Sequence, residues 1–384
     1  MKIRNKSLAI AIALAATTTI TSVASHAAGT ITFGEDKYVS VGFGVLAGYS
    51  SVEDAAPNGD DSSDFDLNVT RVYLSGGINK YIKGMVNIEN SGGTGDKFSV
   101  IDAAAIFQIN PGIAIYAGRF LSPSSRANMA GPFYSSGDGY WQNIVARYGW
   151  NGGEIGRDEG VAIVGTAADE RLAYSFGVFE GGNVFKLSGL SNEVGKADGS
   201  GGTIVNNQQD DELMYAGRLQ YAFWDKEPGY YGTGNYFGSK DIFTIGVAAR
   251  VKGDGAASDV AVGDYSQVSV DLLMEKQLAA GAVSLEAAYY DYDTDDVFLS
   301  EQGDAYAVSV GFIFKEKLGW GQVMPLVRYQ SFDNDNNVEQ ERTDLGVNYV
   351  IDGYNAQISS FYRMAETTGA ADQDTFVVNM QVQF

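Results

Sequence analysis

Apolar and polar residues alternate along most of this chain, most plainly over residues 374–384. Phe376, Val378, Met380, Val382 and Phe384 fall on one side of an extended backbone, and Thr375, Asn379, Gln381 and Gln383 on the other. Successive side chains of a strand point to opposite faces, so such a segment divides an oily environment from a wet one. Val283, Leu285, Ala287 and Tyr289 alternate in the same way with Ser284 and Glu286. Tyr306, Val308, Val310, Phe312 and Phe314 alternate with small residues, and Tyr215, Leu219, Tyr221 and Phe223 with residues that include Arg218 and Gln220.

The alternation predicts sixteen strands, at 38–51, 66–78, 81–90, 98–109, 113–121, 160–167, 171–180, 213–224, 242–253, 265–277, 282–292, 304–315, 322–332, 341–351, 356–365 and 374–384. An even number of antiparallel strands, each of about ten residues, suits a closed transmembrane barrel. The expected fold class is all-β: a transmembrane antiparallel β-barrel of sixteen strands. A soluble β-sandwich also alternates, but it turns its oily face inward and has no use for so many regular segments.

The connections fall into two sets. One is short and built from turn residues, as at Ile78-Asn79-Lys80, Asn110-Pro111-Gly112, Ala168-Asp169-Glu170 and Asp352-Gly353-Tyr354-Asn355, the chemistry that closes hairpins. The other is longer and acidic, as from Glu53 to Asp64, Gly181 to Glu212 and Asp293 to Asp304. With both termini at the periplasmic end, the short set is periplasmic. One connection breaks the rule. Asp225 to Asp241 belongs by order to the short set, yet it is long and rich in Gly and Tyr, and alternation gives no account of it.

The first residues read as a secretory signal. Lys2, Arg4 and Lys6 precede an apolar run from Leu8 to Ala16, too short to span a bilayer as a helix, and Ser25-His26-Ala27 offers a cleavage point. The expected organisation is a signal peptide at 1–27 and one outer-membrane barrel domain at 28–384. Cleavage removes three cations and takes the formal charge from −22 to −25. It also removes the single histidine, and the chain has no cysteine. No disulfide, imidazole general base or cofactor motif is left, which disfavours enzyme chemistry. An acidic balance argues against nucleic acid, because phosphate binding needs clustered cations. The acidic run Asp291-Tyr292-Asp293-Thr294-Asp295-Asp296 lacks the spacing of a calcium loop and reads as solvated.

Parity assigns the charges opposite the oily face to the lumen. The cations are Lys83, Arg218, Arg250, Lys252, Arg328, Arg342 and Arg363; the anions are Glu89, Asp102, Asp271, Glu275, Glu286 and Asp344. Arg328, Arg342 and Arg363 lie on three consecutive strands, so they form either a basic strip or a set neutralised by Asp344 and its neighbours. The connection from Ser122 to Glu159 is too long and too aromatic to be idle. Folded inward after the fifth predicted strand, it would be a constriction loop, with Arg126, Arg147 and Arg157 and the acids Asp138, Glu154 and Asp158 at the neck and the pore-lining Arg119 leading into it. The alternative is an extracellular lid.

Several short motifs resemble the phosphate-selective porin O and P family of Gram-negative outer membranes. They are Thr70-Arg71-Val72-Tyr73-Leu74-Ser75-Gly76-Gly77; Ala117-Gly118-Arg119-Phe120 followed by Leu121-Ser122-Pro123; Pro325-Leu326-Val327-Arg328-Tyr329; and the segment from Gly346-Val347-Asn348-Tyr349 to Phe361-Tyr362-Arg363. The resemblance implies a sixteen-stranded barrel, usually trimeric, with the loop after strand five folded inside. Family members selective for phosphate line the pore with many cations, whereas 23 Lys and Arg face 48 acids here after cleavage. The expectation is a passive channel for small hydrophilic solutes and ions, anions such as phosphate among them. It would be a homotrimer in contact with outer-membrane lipid and lipopolysaccharide. The competing expectation is a structural or adhesive barrel whose acidic loops bind divalent cations or a partner.

Overall fold

The computed structural model describes residues 29–90, 92, 97–137, 144–146, 156–181, 212–227, 229–257 and 261–384. In chain order the elements are β1 (Gly29–Gly34), β2 (Lys37–Val52), β3 (Ser62–Gly77), β4 (Ile82–Asn90), β5 (Ser99–Asn110), β6 (Ile113–Leu121), α1 (Arg126–Ala130), β7 (Arg157–Ala167), β8 (Leu172–Phe179) and β9 (Met214–Ala222). There follow β10 (Ile242–Ala257), β11 (Val262–Leu278), β12 (Gly281–Asp293), β13 (Gly303–Phe314), β14 (Lys317–Leu318), β15 (Gly321–Asn334), β16 (Glu339–Asp352), β17 (Ala356–Thr367) and β18 (Gln373–Gln383).

Sixteen of these strands form one closed antiparallel wall in chain order: β2 to β13, then β15 to β18, and back to β2. They overlap the sixteen predicted segments one for one. The seam between β18 and β2 runs from Thr375↔Val52 to Gln383↔Gly44. It is finished by Phe43 and Phe384, which exchange backbone hydrogen bonds of 2.8 and 2.9 Å and stack edge to face at 4.2 Å. Closure leaves the wall without an unpaired edge, which hydrocarbon would penalise heavily.

Two short strands were not predicted. β1 pairs with β2 over Lys37–Val41, on the edge left free where β18 stops. β14 is one arm of a tight hairpin against β15. Pro325 lies in β15 just past Leu326↔Gly311, the last β13 pair recorded there, so a residue without an N–H is tolerated.

The faces follow the alternation. Tyr215, Leu219, Val270, Val310, Leu345 and Met380 are exposed on the outside, while Asn379, Gln381 and Gln383 are buried within. Rim aromatics frame the oily band. Tyr289, Tyr329 and Tyr362 donate hydroxyl protons to Asp304, Glu341 and Asp374 at one end. Phe223, Trp224 and Phe243 cluster at the other, with ring centroids 5.1 and 5.5 Å apart. Such belts are placed at the two membrane–water boundaries.

The packed core is inside the barrel. Met85, Ile106, Tyr116, Phe120 and Met214 of the wall gather with Met129 and Tyr230, and Leu46 and Val69 gather with Phe133. Met129 and Phe133 come from the connection after β6, and Tyr230 from the connection between β9 and β10. Those two segments enter the barrel from opposite ends.

Candidate pore-lining site

The β6–β7 connection leaves the wall at Ser122, whose N–H and hydroxyl both donate to Gly156 O at 2.8 Å. Pro123 and two serines then break the strand, and Ser125 caps α1, its hydroxyl accepting from Asn128 N at 3.5 Å. From there residues 122–137 run along the interior and bond to inward-facing groups on many strands. Arg218 of β9 donates to Ser124 O at 3.1 Å, and Tyr290 of β12 donates to the Ser125 hydroxyl at 3.0 Å. Arg328 of β15 donates to Ser136 O at 3.3 Å, and Gln381 of β18 to Phe133 O at 3.0 Å. The Phe133 ring sits 5.2 Å from the Arg71 guanidinium of β3, an arginine that sequence reasoning did not assign. It also fills the space beside Gly44 of β2, where an added Cβ would stand 2.8 Å from the ring.

Arg126, at the start of α1, is only 2% exposed. Its guanidinium donates to both oxygens of Glu227 at 2.9 and 2.7 Å and to Thr233 O at 2.9 Å, while its backbone N–H donates to Asp271 at 2.9 Å. Arg218 forks onto the same Asp271 at 2.5 and 2.8 Å. Burial opposes the charge on Arg126, but Glu227 and Asp271 outweigh it and hold its pKa above the usual value. Burial likewise pushes Glu227 up, yet the charge and hydrogen bonds of Arg126 prevail and keep the carboxyl below its ordinary range. A buried pair of this kind stands only when both ions are well bonded.

A second cluster gathers the predicted basic strip. Arg328, Arg342 and Arg363 all reach Asp344, with N···O distances of 3.0, 2.9 and 3.5 Å. Three guanidiniums thus share one carboxylate. The three arginines stand together with Asp344 among them. Elsewhere Arg157 pairs with Asp102 at 3.0 Å, Arg71 donates to Glu89 at 2.6 Å, and Arg250 donates to Ser122 and Gly156.

Arg126, Arg157, Arg218, Arg250, Arg328, Arg342 and Arg363 therefore all lie inside, though in separate clusters. Arg119 does not. On β6 it shares a face with Ile115 and Ala117 and is in register with Glu159, to which it bonds at 2.6 Å on the outer surface. Its expected place in the pore lining, leading into the loop, is corrected by the parity of its own strand: Tyr116 and Phe120 are the inward pair. Asp138, Arg147 and Glu154 lie outside the described residues, as do the aromatics Tyr140, Trp141, Tyr148 and Trp150 and the signal segment 1–27.

Sequence reasoning missed Glu227 and the tyrosines Tyr230, Tyr231 and Tyr236, all on the connection between β9 and β10. The available signal was the connection's length at the end where every other link is short.

The fold is shared with solved outer-membrane proteins. The chain is similar to the anion-selective porin from Comamonas acidovorans, at a TM-score of 0.59 and 12% identity over 91% of this chain and 100% of that one. It is similar to the outer membrane channel DcaP of Acinetobacter baumannii, at 0.57 and 12% over 92% and 100%. It also resembles OmpT, an outer membrane protein of Vibrio cholerae, in a trimer form, at 0.55 and 11% over 91% and 100%. At this identity the likeness defines the class of fold, the porin-type sixteen-stranded barrel. No family model and no curated protein matches the chain, so the resemblance to the O and P porins rests on its short motifs.

Proposed function

We propose that this chain is an outer-membrane porin, a passive diffusion channel for small hydrophilic solutes and ions. The observation that carries the reading is the division of the wall: an apolar outer face between aromatic rims, and an inner face of charged and amide side chains. A closed barrel so divided sits in lipid and holds water. The lysine-rich start of the sequence is consistent with export, and the acidic connections would then face the lipopolysaccharide surface.

Residues 122–137 act in this reading as the constriction, because they bring buried charges into the bore from a long connection. Within a low-dielectric wall, clustered charges act strongly on a passing ion. Three arginines around Asp344 favour an anion at that level, in keeping with the motifs shared with the O and P porins. The acidic outer connections draw cations at the mouth. Homotrimeric assembly is part of the proposal and is supported by the trimer form of the Vibrio cholerae neighbour.

Planar bilayer recording tests the reading. Purified protein is expected to insert and give discrete conductance steps, with a reversal potential in a salt gradient that reports anion preference. Protein that inserts and gives no steps would refute the channel.

A further inference from the structure

The connection between β9 and β10 has no role in a plain barrel. The ladder of its parent strands already reaches its root, where Phe223 N bonds Phe243 O at 2.8 Å and Asp225 N bonds Asp241 O at 3.0 Å. A two-residue turn would close this hairpin. Instead the described residues 225–227 and 229–241 enter the bore and touch the wall on several sides. The Tyr230 ring lies 5.2 Å from Tyr116 and 6.1 Å from Phe120 on β6, and the Tyr231 hydroxyl is 3.7 Å from Met85 Sδ on β4. The N–H groups of Tyr236 and Gly238 donate to Glu275 on β11, and Phe237 packs at 4.6 Å on Tyr354 of the β16–β17 turn. A segment that reaches from β4 to the β16–β17 turn crosses the opening.

The same segment is docked on residues 122–137. Gly232 N donates to Met129 O at 3.2 Å, Gly234 N to Tyr134 O at 2.7 Å, and the Ser136 hydroxyl to Gly234 O at 3.0 Å. The approach is close enough that a Cβ on Gly234 would stand 2.9 Å from Ser136 N. Arg126–Glu227 is the one ion pair between the two segments among the described residues. The joint is also rich in acid: Glu227, Asp271, Glu275 and Glu286 surround Arg126 and Arg218 among the described residues. Glu286 is buried, and its Oε2 finds no hydrogen-bond donor there. A buried polar oxygen without a donor costs stability, and separating the two segments would hydrate it. The contact is thus held by hydrogen bonds, the Arg126–Glu227 pair and the packing of Met129 with Tyr230, and it leaves the Glu286 carboxyl short of a donor.

We infer that residues 225–227 and 229–241 form a releasable plug at the periplasmic end of the bore, latched to the constriction segment by Arg126–Glu227. This rests on the channel reading for its effect on conductance, but docking is testable apart from it. The plug narrows the bore when docked and widens it when released, so two conductance levels follow.

The absence of cysteine makes the test clean. A Cβ on Gly232 would stand 3.6 Å from Met129 Cβ, within the range of a disulfide. In the Met129→Cys/Gly232→Cys protein, oxidation is expected to hold the channel at its lower level, and reduction to restore transitions to the higher one. Replacing residues 226–240 by Asn-Gly is expected to raise the main conductance at least twofold. Equal conductance in wild-type, locked and shortened proteins would overturn the plug while leaving the channel standing. If none conducts, the channel reading fails and docking is judged by labelling. A single Gly232→Cys protein should react slowly with a bulky maleimide, and at least tenfold faster once Glu227→Gln is added. Fast labelling of both, or identical slow labelling, would overturn the latch.

Discussion

Arg126 and Glu227 form a two-pronged ion pair inside the barrel, although one is carried by a connection at one end of the wall and the other by a connection at the opposite end. Neither segment has a strand ladder of its own inside the bore. Each is positioned by the other and by the polar wall, so the pair links the two ends of the molecule.

Replacing Arg126 by Ala leaves Glu227 without its ion-pair partner and Asp271 without one of its two arginines. The expected loss of stability is about 3–5 kcal/mol, read as a lower urea midpoint for loss of the folded gel mobility. Arg126→Lys should recover only part of it, because an ammonium cannot reproduce the two parallel bonds.

The dependence on pH follows from Glu227. Its folded carboxyl lies below the ordinary 4.5, so its contribution is complete above that value and disappears as pH falls through the lowered folded one. Wild-type protein is expected to exceed Glu227→Gln in stability by a constant margin from pH 8 to about 5. The margin should shrink on further acidification. Parallel unfolding curves at each pH measure it, and a margin that grew in acid would reverse the assignment.

Selectivity is expected to respond to the cluster around Asp344. Arg363 is the most exposed of the three arginines, at 19% of its side chain, and its contact with Asp344 is the longest. Arg363→Ala should therefore change stability by less than about 1 kcal/mol while moving the reversal potential toward cations. Asp344→Asn should move it the other way.

The two faces predict opposite outcomes for similar changes. Met380→Arg places a cation on the outer wall and is expected to cost about 2–4 kcal/mol at mid-membrane depth, visible as poor insertion into vesicles. Asn379→Lys, one residue earlier and inward, should insert normally and alter ion preference.

Much of this was readable because a two-residue period is a strong local signal wherever one face meets lipid. It gave all sixteen wall strands. Arg119 was assigned from its resemblance motif, although its alternation with Tyr116 and Phe120 points it outward. The plug was opaque for a different reason. Tyr230 and Tyr231 obey no period, since their partners Tyr116 and Met85 come from remote parts of the chain, and Tyr236 bonds Glu227 within the same connection. β1 was hidden because it is a short arm whose place depends on where β18 stops.

The seam carries a lesson about biogenesis. Gly44 is matched with Gln383 and Val52 with Thr375, so the earliest wall strand to emerge must wait for the latest. Any chain halted midway offers two bare flanks to its surroundings, and only delivery of the whole polypeptide lets the cylinder zip shut. Quality control is thereby written into the order of synthesis: an unfinished copy cannot make a sealed wall.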